Sequence, residues 1–270
     1  MFFLIIIFLL GISIGSFINC FLYRLKNKIN LSKRSFCPKC KSKIYFFDNI
    51  PLFSYLFLKA KCRHCKQKIS SSYFFIEFST GVLFILAWIN IFGVNLAISQ
   101  INKDFFLSSD FILFIRNIFI VSVFVVIFIY DLRWYLILDR VTIPAFFIIL
   151  IFNFFLGISL NNLFWGIFIG GGFFLLQFIL SRGRWIGGGD IRLGTLIGLI
   201  FSLNIYSIKF VISSLFLAYF LGAIVGIFLI LINKKSRKDQ VPFGPFLVIS
   251  TISNLFWGEI MISYYLDLFH

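Results

Sequence analysis

The chain has 270 residues, of which 60% are hydrophobic and 13% are charged, and its mean hydropathy is +1.01. So much apolar surface cannot be buried inside a soluble globule, which excludes a soluble enzyme or binding domain and indicates an integral membrane protein. The net charge of +15 would suit nucleic acid, but the sequence contains no groove-reading or base-stacking module, and anionic lipid headgroups account for the basic loops. We therefore expect membrane lipids, and no nucleic acid, as partners.

About eight segments are apolar and long enough to cross a bilayer as a helix. They predict an all-α polytopic membrane protein. Six segments are clear, and two are weaker because one carries glycines and the other starts after a proline. The clear segments are 2–22, 73–92, 111–130, 141–158, 163–180 and 210–232, and the weaker ones are 191–208 and 243–266.

The order of charges predicts the topology. The first segment has neither a preceding basic residue nor a small-residue cleavage site, so we expect a retained signal anchor. Basic residues follow it at once, which puts the N-terminus outside and the next loop in the cytoplasm. With eight spans, all Lys and Arg except Lys103, Arg116 and Lys209 lie on the cytoplasmic side. This pattern predicts a protein of the inner membrane.

Three domains are predicted: a first transmembrane helix at 1–23, a cytoplasmic zinc-binding loop domain at 24–72 and a multi-helix membrane core at 73–270. The loop contains two C-x-x-C pairs separated by 21 residues. Such spacing is typical of a tetrahedral structural zinc site, whereas disulfides are disfavoured in the cytoplasm and a redox pair would need a strand–helix context. His64 could replace one cysteine as a ligand. The predicted zinc ligands are Cys37, Cys40, Cys62 and Cys65.

Small residues mark two faces for close helix packing. In the first span, Asn19 follows Gly15 and predicts an interhelical hydrogen bond, and the fifth span contains four glycines. Those glycines are Gly166, Gly170, Gly171 and Gly172.

Glu77 lies one helical turn inside the second span, where an isolated charge is costly. It could be a neutral acid, a partner for a cation such as Arg24, or a group that binds the positive end of a substrate. The residues alone leave these alternatives open.

Two further carboxylates lie at the ends of apolar segments, where they are functional candidates by default. Asp131 ends an apolar run that starts at Ile118, and Asp190 follows three glycines in the stretch W-I-G-G-G-D-I-R-L at 185–193. The predicted topology puts both at the cytoplasmic interface, so they could form a proteolytic dyad. The alternative for Asp131 is a solvated charge at a helix end. Asp139 could likewise be solvated beside Arg140 or could cap the next helix.

The ordered motifs resemble those of the type IV prepilin peptidases, aspartic proteases of the membrane that are also N-methyltransferases. The resemblance covers nearly the whole chain. It implies that Asp131 and Asp190 are catalytic. Three positions depart from the family pattern: Leu138 stands where proline is usual, Arg192 stands where lysine is usual, and a proline expected near Phe74 is missing. The matching motifs are G-S-F-I-N with Y-R at 15–24, C-P-K-C at 37–40, D-N-I-P-L at 48–52, C-R-H-C at 62–65, the segment 73–77, Asp131, G-G-G-D at 187–190 and P-F-G-P at 242–245.

The resemblance also implies the substrates and cofactors. Prepilins or pseudopilins would lose a short basic leader at the cytoplasmic face, and S-adenosylmethionine would methylate the new N-terminus. The glycines Gly187, Gly188 and Gly189 would let the substrate backbone approach the aspartates. A peptidase without methyl transfer and a noncatalytic pilus or secretion assembly factor are the alternatives. The sequence assigns no residues to methyl transfer and no oligomeric state.

Overall fold

The computed structural model describes residues 2–30, 32, 34–94, 103–203, 208–234, 236 and 239–267. Over these residues the chain is helical, with two isolated β-bridges as its extended pairings, which confirms the all-α prediction. Two compact units are present, Met1–Asn102 and Lys103–His270. The α-helices are α1 (Phe2–Lys26), α2 (Phe53–Phe57), α3 (Ser71–Phe92), α4 (Ser109–Trp134), α5 (Asp139–Phe155), α6 (Leu160–Ser181), α7 (Gly188–Ile200), α8 (Ile208–Leu231) and α9 (Gly244–Asp267).

The first unit is built on close antiparallel packing of α1 against α3. A Cβ added at Gly11 would lie 2.7 Å from the Gly81 Cα, and one added at Gly15 would lie 2.8 Å from the Glu77 Cα. The Asn19 side-chain amide donates to the Tyr73 carbonyl at 3.2 Å. The predicted interhelical hydrogen bond is therefore confirmed. The loop between α1 and α3 begins and ends on this closely packed pair of helices.

In the second unit, α7 is surrounded by other helices and is buried along most of its length from Leu193 to Ile200. The predicted small-residue face of α6 makes its main contact with α7. A Cβ at Gly170 would lie 2.3 Å from the Gly194 carbonyl oxygen, and one at Gly198 would lie 2.0 Å from the Gly166 carbonyl oxygen. Gly172 is the exception, because a Cβ there would meet open space.

This contact gives a paired test of packing. We expect Gly198→Ala to lower the free energy of unfolding by about 1–3 kcal/mol, because the methyl group would force two backbones apart. Gly172→Ala should be neutral or slightly stabilising, because alanine is the better helix former and has room. Thermal unfolding of the purified proteins in detergent would measure both. Equal melting temperatures for the two variants would contradict the backbone contact.

Among the residues that the structure describes, six helices are long and apolar enough to cross a membrane: α1, α3, α4, α6, α8 and residues 244–265 of α9. The count of eight spans is not confirmed, since α5 has 17 residues and α7 has only 13. At 1.5 Å per residue, α7 is about 20 Å long and is shorter than a hydrocarbon core of about 30 Å. In the segment 191–208, which was predicted to be a span, the helix ends at Ile200. Residues 204–207 of that segment lie outside the described ranges.

Candidate active site and metal site

Asp131 lies near the C-terminal end of α4, and only 5% of its surface is exposed. Its Oδ2 accepts a hydrogen bond of 2.9 Å from the Gly244 N–H, at the first residue of α9. A helix N-terminus stabilises a carboxylate through its free amides and its dipole. The solvated-charge alternative for Asp131 is therefore wrong. The P-F-G-P motif, which alone predicts a turn, supplies this partner.

The first turn of α7 contains Asp190. Its Oδ2 accepts a hydrogen bond of 3.0 Å from the Gly187 N–H, which fixes the side chain at the helix start. The three glycines before it have different surroundings. A Cβ at Gly189 would lie 2.9 Å from the Ile137 Cβ, whereas a Cβ at Gly188 would meet nothing within 4 Å. The backbone beside Asp190 is thus open at Gly188 and packed at Gly189.

The second unit contains both aspartates and Tyr219. Asp131 is held at the start of α9 and Asp190 in the first turn of α7. The Tyr219 hydroxyl donates to the Gln177 side-chain oxygen at 2.8 Å, and its ring lies 4.8 Å from that of Phe243, next to Gly244. The second unit therefore contains two carboxylates, each held by one backbone N–H, and a phenol whose ring packs on Phe243 beside one of those N–H groups. Sequence reasoning missed Tyr219, which gives no local signal within its apolar helix.

The short connection between α4 and α5 packs at the same end of α7. Asp139 forms an ion pair with Arg192 rather than with Arg140. It lies in the first turn of α5, whose N-cap is Leu138. The backbone of Leu138 has φ −85° and ψ 117°, an extended conformation close to the one proline imposes. The departures at Leu138 and Arg192 are thus accommodated, the first by backbone conformation and the second by retained charge.

Arg116 is a buried cation that sequence reasoning passed over as one of three basic residues off the cytoplasmic side. It is fully buried, and its guanidinium donates to the Asn153 Oδ1 at 2.7 Å, to the Asn117 Oδ1 at 3.3 Å and to the Ile200 carbonyl. The Asn153 amide donates to the Leu199 carbonyl at 2.8 Å. The last carbonyls of α7 lack intrahelical partners, so Arg116 and Asn153 satisfy them where water is absent. The sequence signal that could have identified Arg116 was the position of a charged residue inside an apolar span.

The four predicted metal ligands form a cluster in the first unit. Their sulfur atoms all lie within 4.8 Å of one another, and the sulfurs of Cys37 and Cys65 are 4.0 Å apart. Tetrahedral ligands at about 2.3 Å from a zinc ion would be about 3.8 Å apart, so the donor set fits a tetrahedral metal. All five cysteines are free, which excludes the disulfide alternative here. His64 lies outside the cluster, and its ring stacks on Tyr45 at 5.9 Å.

The two C-x-x-C pairs form matching knuckles. The Lys41 N–H donates to the Cys37 carbonyl at 2.9 Å, and the Lys66 N–H donates to the Cys62 carbonyl at 3.0 Å. Both lysines have positive φ, 60° and 57°. The Ser42 hydroxyl beside Cys40 lowers the pKa of that thiol to about 6, which favours the thiolate that a metal requires.

Metal removal should loosen this loop. In Cys62→Ser, or after chelation, we expect trypsin to cleave within 24–72 about tenfold faster, because metal binding supplies the folding energy of such small sites. Cys20→Ser is the matched control, since Cys20 is free and lies outside the cluster. Metal release with a chromogenic chelator, followed by limited proteolysis, would measure both effects. Equal cleavage of the two variants would show that no metal holds the loop.

Glu77 lies in the first unit, on α3. It is buried, with 7% exposed, and its Oε2 accepts a hydrogen bond of 2.8 Å from the Leu52 N–H just before α2. Leu52 has φ 61°, a strained conformation for a branched residue. The carboxylate therefore holds a tight backbone turn of the loop, and its predicted role toward substrate stays a prediction.

The helices, the two aspartates and the cysteine cluster together define a multi-pass membrane protein with two carboxylates held at helix starts and a loop whose four cysteines could hold a metal ion. Comparison with protein families agrees. Residues 9–91 match the bacterial peptidase A24 N-terminal domain, and residues 118–227 match the type IV leader peptidase family.

Three curated relatives are named prepilin leader peptidase/N-methyltransferase. The Vibrio cholerae protein is 31% identical over 96% of this chain and 98% of its own length, and the Legionella pneumophila protein is 30% identical over 97% and 94%. The Bacillus subtilis protein is 28% identical over 97% and 98%. No solved structure matches the chain. The chain belongs to the type IV leader peptidase family and is an enzyme.

Proposed function

We propose that this enzyme removes the short basic leader of a type IV prepilin or pseudopilin at the cytoplasmic face of the inner membrane and then methylates the new N-terminal residue. The single observation that supports the proposal is that one compact unit holds both Asp131 and Asp190 at the starts of two helices. Each has one oxygen engaged by a backbone N–H.

The proposed mechanism is that of an aspartic protease. Neighbouring carboxylates cannot easily both ionise, so Asp131 and Asp190 share one proton. The ionised carboxylate takes a proton from water, whose oxygen attacks the scissile carbonyl carbon, while the protonated carboxylic acid donates a hydrogen bond to the carbonyl oxygen. The tetrahedral intermediate collapses as the C–N bond breaks, and the leaving nitrogen takes the proton that the carboxylate removed from water.

Substrate binding is proposed to use the glycine stretch. The backbone at Gly187 and Gly188 is exposed, and the open space at Gly188 leaves room for an extended peptide beside Asp190. Gly189 would contribute through its packing on Ile137, which fixes the stretch in place. Glu77 is retained as a candidate for the positive end of a substrate, with a carboxylate that already accepts the Leu52 N–H.

Two cofactors are proposed. Zn²⁺ fits the donor set of Cys37, Cys40, Cys62 and Cys65, and would fold the loop rather than act on substrate. S-adenosylmethionine would supply the methyl group. A cavity of about 370 Å³ in the first unit, lined partly by Tyr55 and Glu77, has the volume of a small-molecule site. Its lining combines carboxylates with basic side chains such as Arg24 and Lys43, a mixture that would suit the amino-acid portion of this cofactor.

One assay tests the proposal. The purified protein in lipid nanodiscs is incubated with a prepilin and S-adenosylmethionine, and the substrate is followed by intact-mass spectrometry. We expect loss of the leader, followed by gain of one methyl group. Cleavage without methyl gain would leave a peptidase alone. An unaltered substrate, with wild type equal to Asp190→Ala, would favour an assembly factor and overturn the proposal.

A further inference from the structure

The loop of the first unit exposes large apolar side chains, although it is predicted to lie in the cytoplasm. Phe46 is 82% exposed and Phe57 is 83% exposed. Phe46 begins a short 3₁₀ helix, Phe46–Asn49, which packs against α2, Phe53–Phe57. Phe47 and Leu56 are 77% and 62% exposed. Several exposed apolar side chains on two short helices that pack together mark a candidate interaction surface.

Contacts with α3 fix the height of α2 along the membrane normal. Leu52, directly before α2, donates its N–H to Glu77, which is the seventh residue of α3. The ring of Tyr55 lies 5.6 Å from that of Phe74. α2 therefore lies beside the first two turns of α3, where the apolar span begins.

On those same turns, α3 itself presents aromatic side chains outward. Phe75 and Phe78 are 64% and 46% exposed on a helix that spans the membrane, so lipid is their surrounding. The exposed face of α2 is at the same height. Its apolar side chains are thus at the level of the α3 side chains that face lipid.

The charge of the loop fits the same surroundings. Between Arg24 and Lys68 the sequence contains a single acidic residue, Asp48, and many basic ones. Asp48 already pairs with Arg63 at 2.6 Å. Lys59 and Lys61 follow α2 and are exposed. Aromatic rings beside lysines are typical of segments at an anionic membrane interface.

We propose that the 3₁₀ helix and α2, here called the aromatic anchor (residues 46–57), insert into the headgroup region of an anionic bilayer. The buried carboxylate of Glu77 sets the depth of the anchor by holding the Leu52 N–H. Lys59 and Lys61 bind the lipid phosphates around it. The proposal rests on the first unit alone and is independent of peptidase activity.

Photo-crosslinking of the full-length protein in nanodiscs tests this placement. Phe57→p-benzoylphenylalanine replaces one exposed aromatic side chain by another, and Gln67→p-benzoylphenylalanine is the control at an exposed polar position of a cysteine knuckle. The nanodiscs contain phosphatidylethanolamine with phosphatidylglycerol, and lipid adducts are counted by mass spectrometry after irradiation. We expect an adduct yield at position 57 at least about tenfold above that at position 67. Equal yields, or crosslinks at position 57 to a second copy of the chain instead of lipid, would overturn the proposal.

A second pair of variants tests the role of Glu77 in depth. Glu77→Gln keeps an oxygen that can accept the Leu52 N–H, whereas Glu77→Leu removes the acceptor. In the Phe57 photo-crosslinking background, we expect Gln to retain most of the lipid adducts and Leu to lose most of them. Full retention in Glu77→Leu would contradict a depth set by this hydrogen bond. In Glu77→Gln, retained adducts together with lost prepilin cleavage would uphold the anchor and show that the failure concerns the proposed function.

Discussion

Asp190→Asn and Asp131→Asn should each lower the rate of prepilin cleavage by about 10²–10⁴-fold. Asparagine keeps the size of the side chain and can still accept the backbone N–H from Gly187 or Gly244. It can neither take a proton from water nor share one with the other carboxylate. The loss should therefore fall on kcat, measured under single-turnover conditions with saturating substrate.

Asp110→Asn is the matched control for these variants. Asp110 is on the same helix as Asp131 but lies exposed in its first turn, at the opposite end. Its loss changes a surface charge near the helix N-terminus and should leave the cleavage rate within about threefold of wild type. Near-normal processing by either dyad variant would remove that aspartate from the site. An equal loss in Asp110→Asn would assign the effect to α4 as a whole.

The features that could be predicted from the sequence are those whose signal lies within a short stretch of the chain. Two C-x-x-C pairs put four thiols on two tight turns, and the structure gathers those thiols into one cluster. The glycines of α6 recur at helical spacing, so their common face and its close contact could be predicted. Asn19 could be assigned a partner on another helix because an amide inside a membrane needs one.

Other features depend on distant parts of the chain and left weak signals or none. The partner of Asp131 is Gly244, 113 residues away, in a motif that indicates only a turn when read alone. The apolar segment at 191–208 has the composition of a full span, yet α7 ends at Ile200 because its carbonyls find buried donors there. Hydropathy measures the transfer of side chains from water to lipid and contains no information on such hydrogen-bond donors.

Those donors suggest how Asp190 is positioned. α7 is short, and its two ends are held by different means. Asp190 accepts the Gly187 N–H at one end, and Arg116 donates to the Ile200 carbonyl at the other. A cation at a helix C-terminus also complements the helix dipole. The glycine contacts with α6 restrain α7 laterally. We infer that Arg116 restrains α7 along its axis.

Arg116→Met should destabilise the protein by about 3 kcal/mol or more, because several buried acceptors would lose their donor at about 1–3 kcal/mol each. For a unit of this size the melting temperature should fall by about 6–12 °C. Arg116→Lys keeps the charge but cannot donate to Asn153, Asn117 and Ile200 at once, so its loss should be intermediate. Thermal unfolding in detergent, followed by tryptophan fluorescence, would rank the variants.

Asn254→Leu is the control that distinguishes loss of the Arg116 hydrogen bonds at the end of α7 from loss of any buried polar group. Asn254 is also buried in the second unit; among the described residues its amide donates to the Ser250 carbonyl within its own helix, and its Oδ1 finds no hydrogen-bond donor. Replacing it should cost little, since an unpaired buried oxygen is itself unfavourable. If Arg116 positions α7, Arg116→Lys should lower kcat for cleavage more than it raises KM, while Asn254→Leu changes neither. Equal stability and kcat in Arg116→Met and Asn254→Leu would mean that the end of α7 is satisfied without the guanidinium, and that Asp190 is positioned by the glycine contacts with α6 alone.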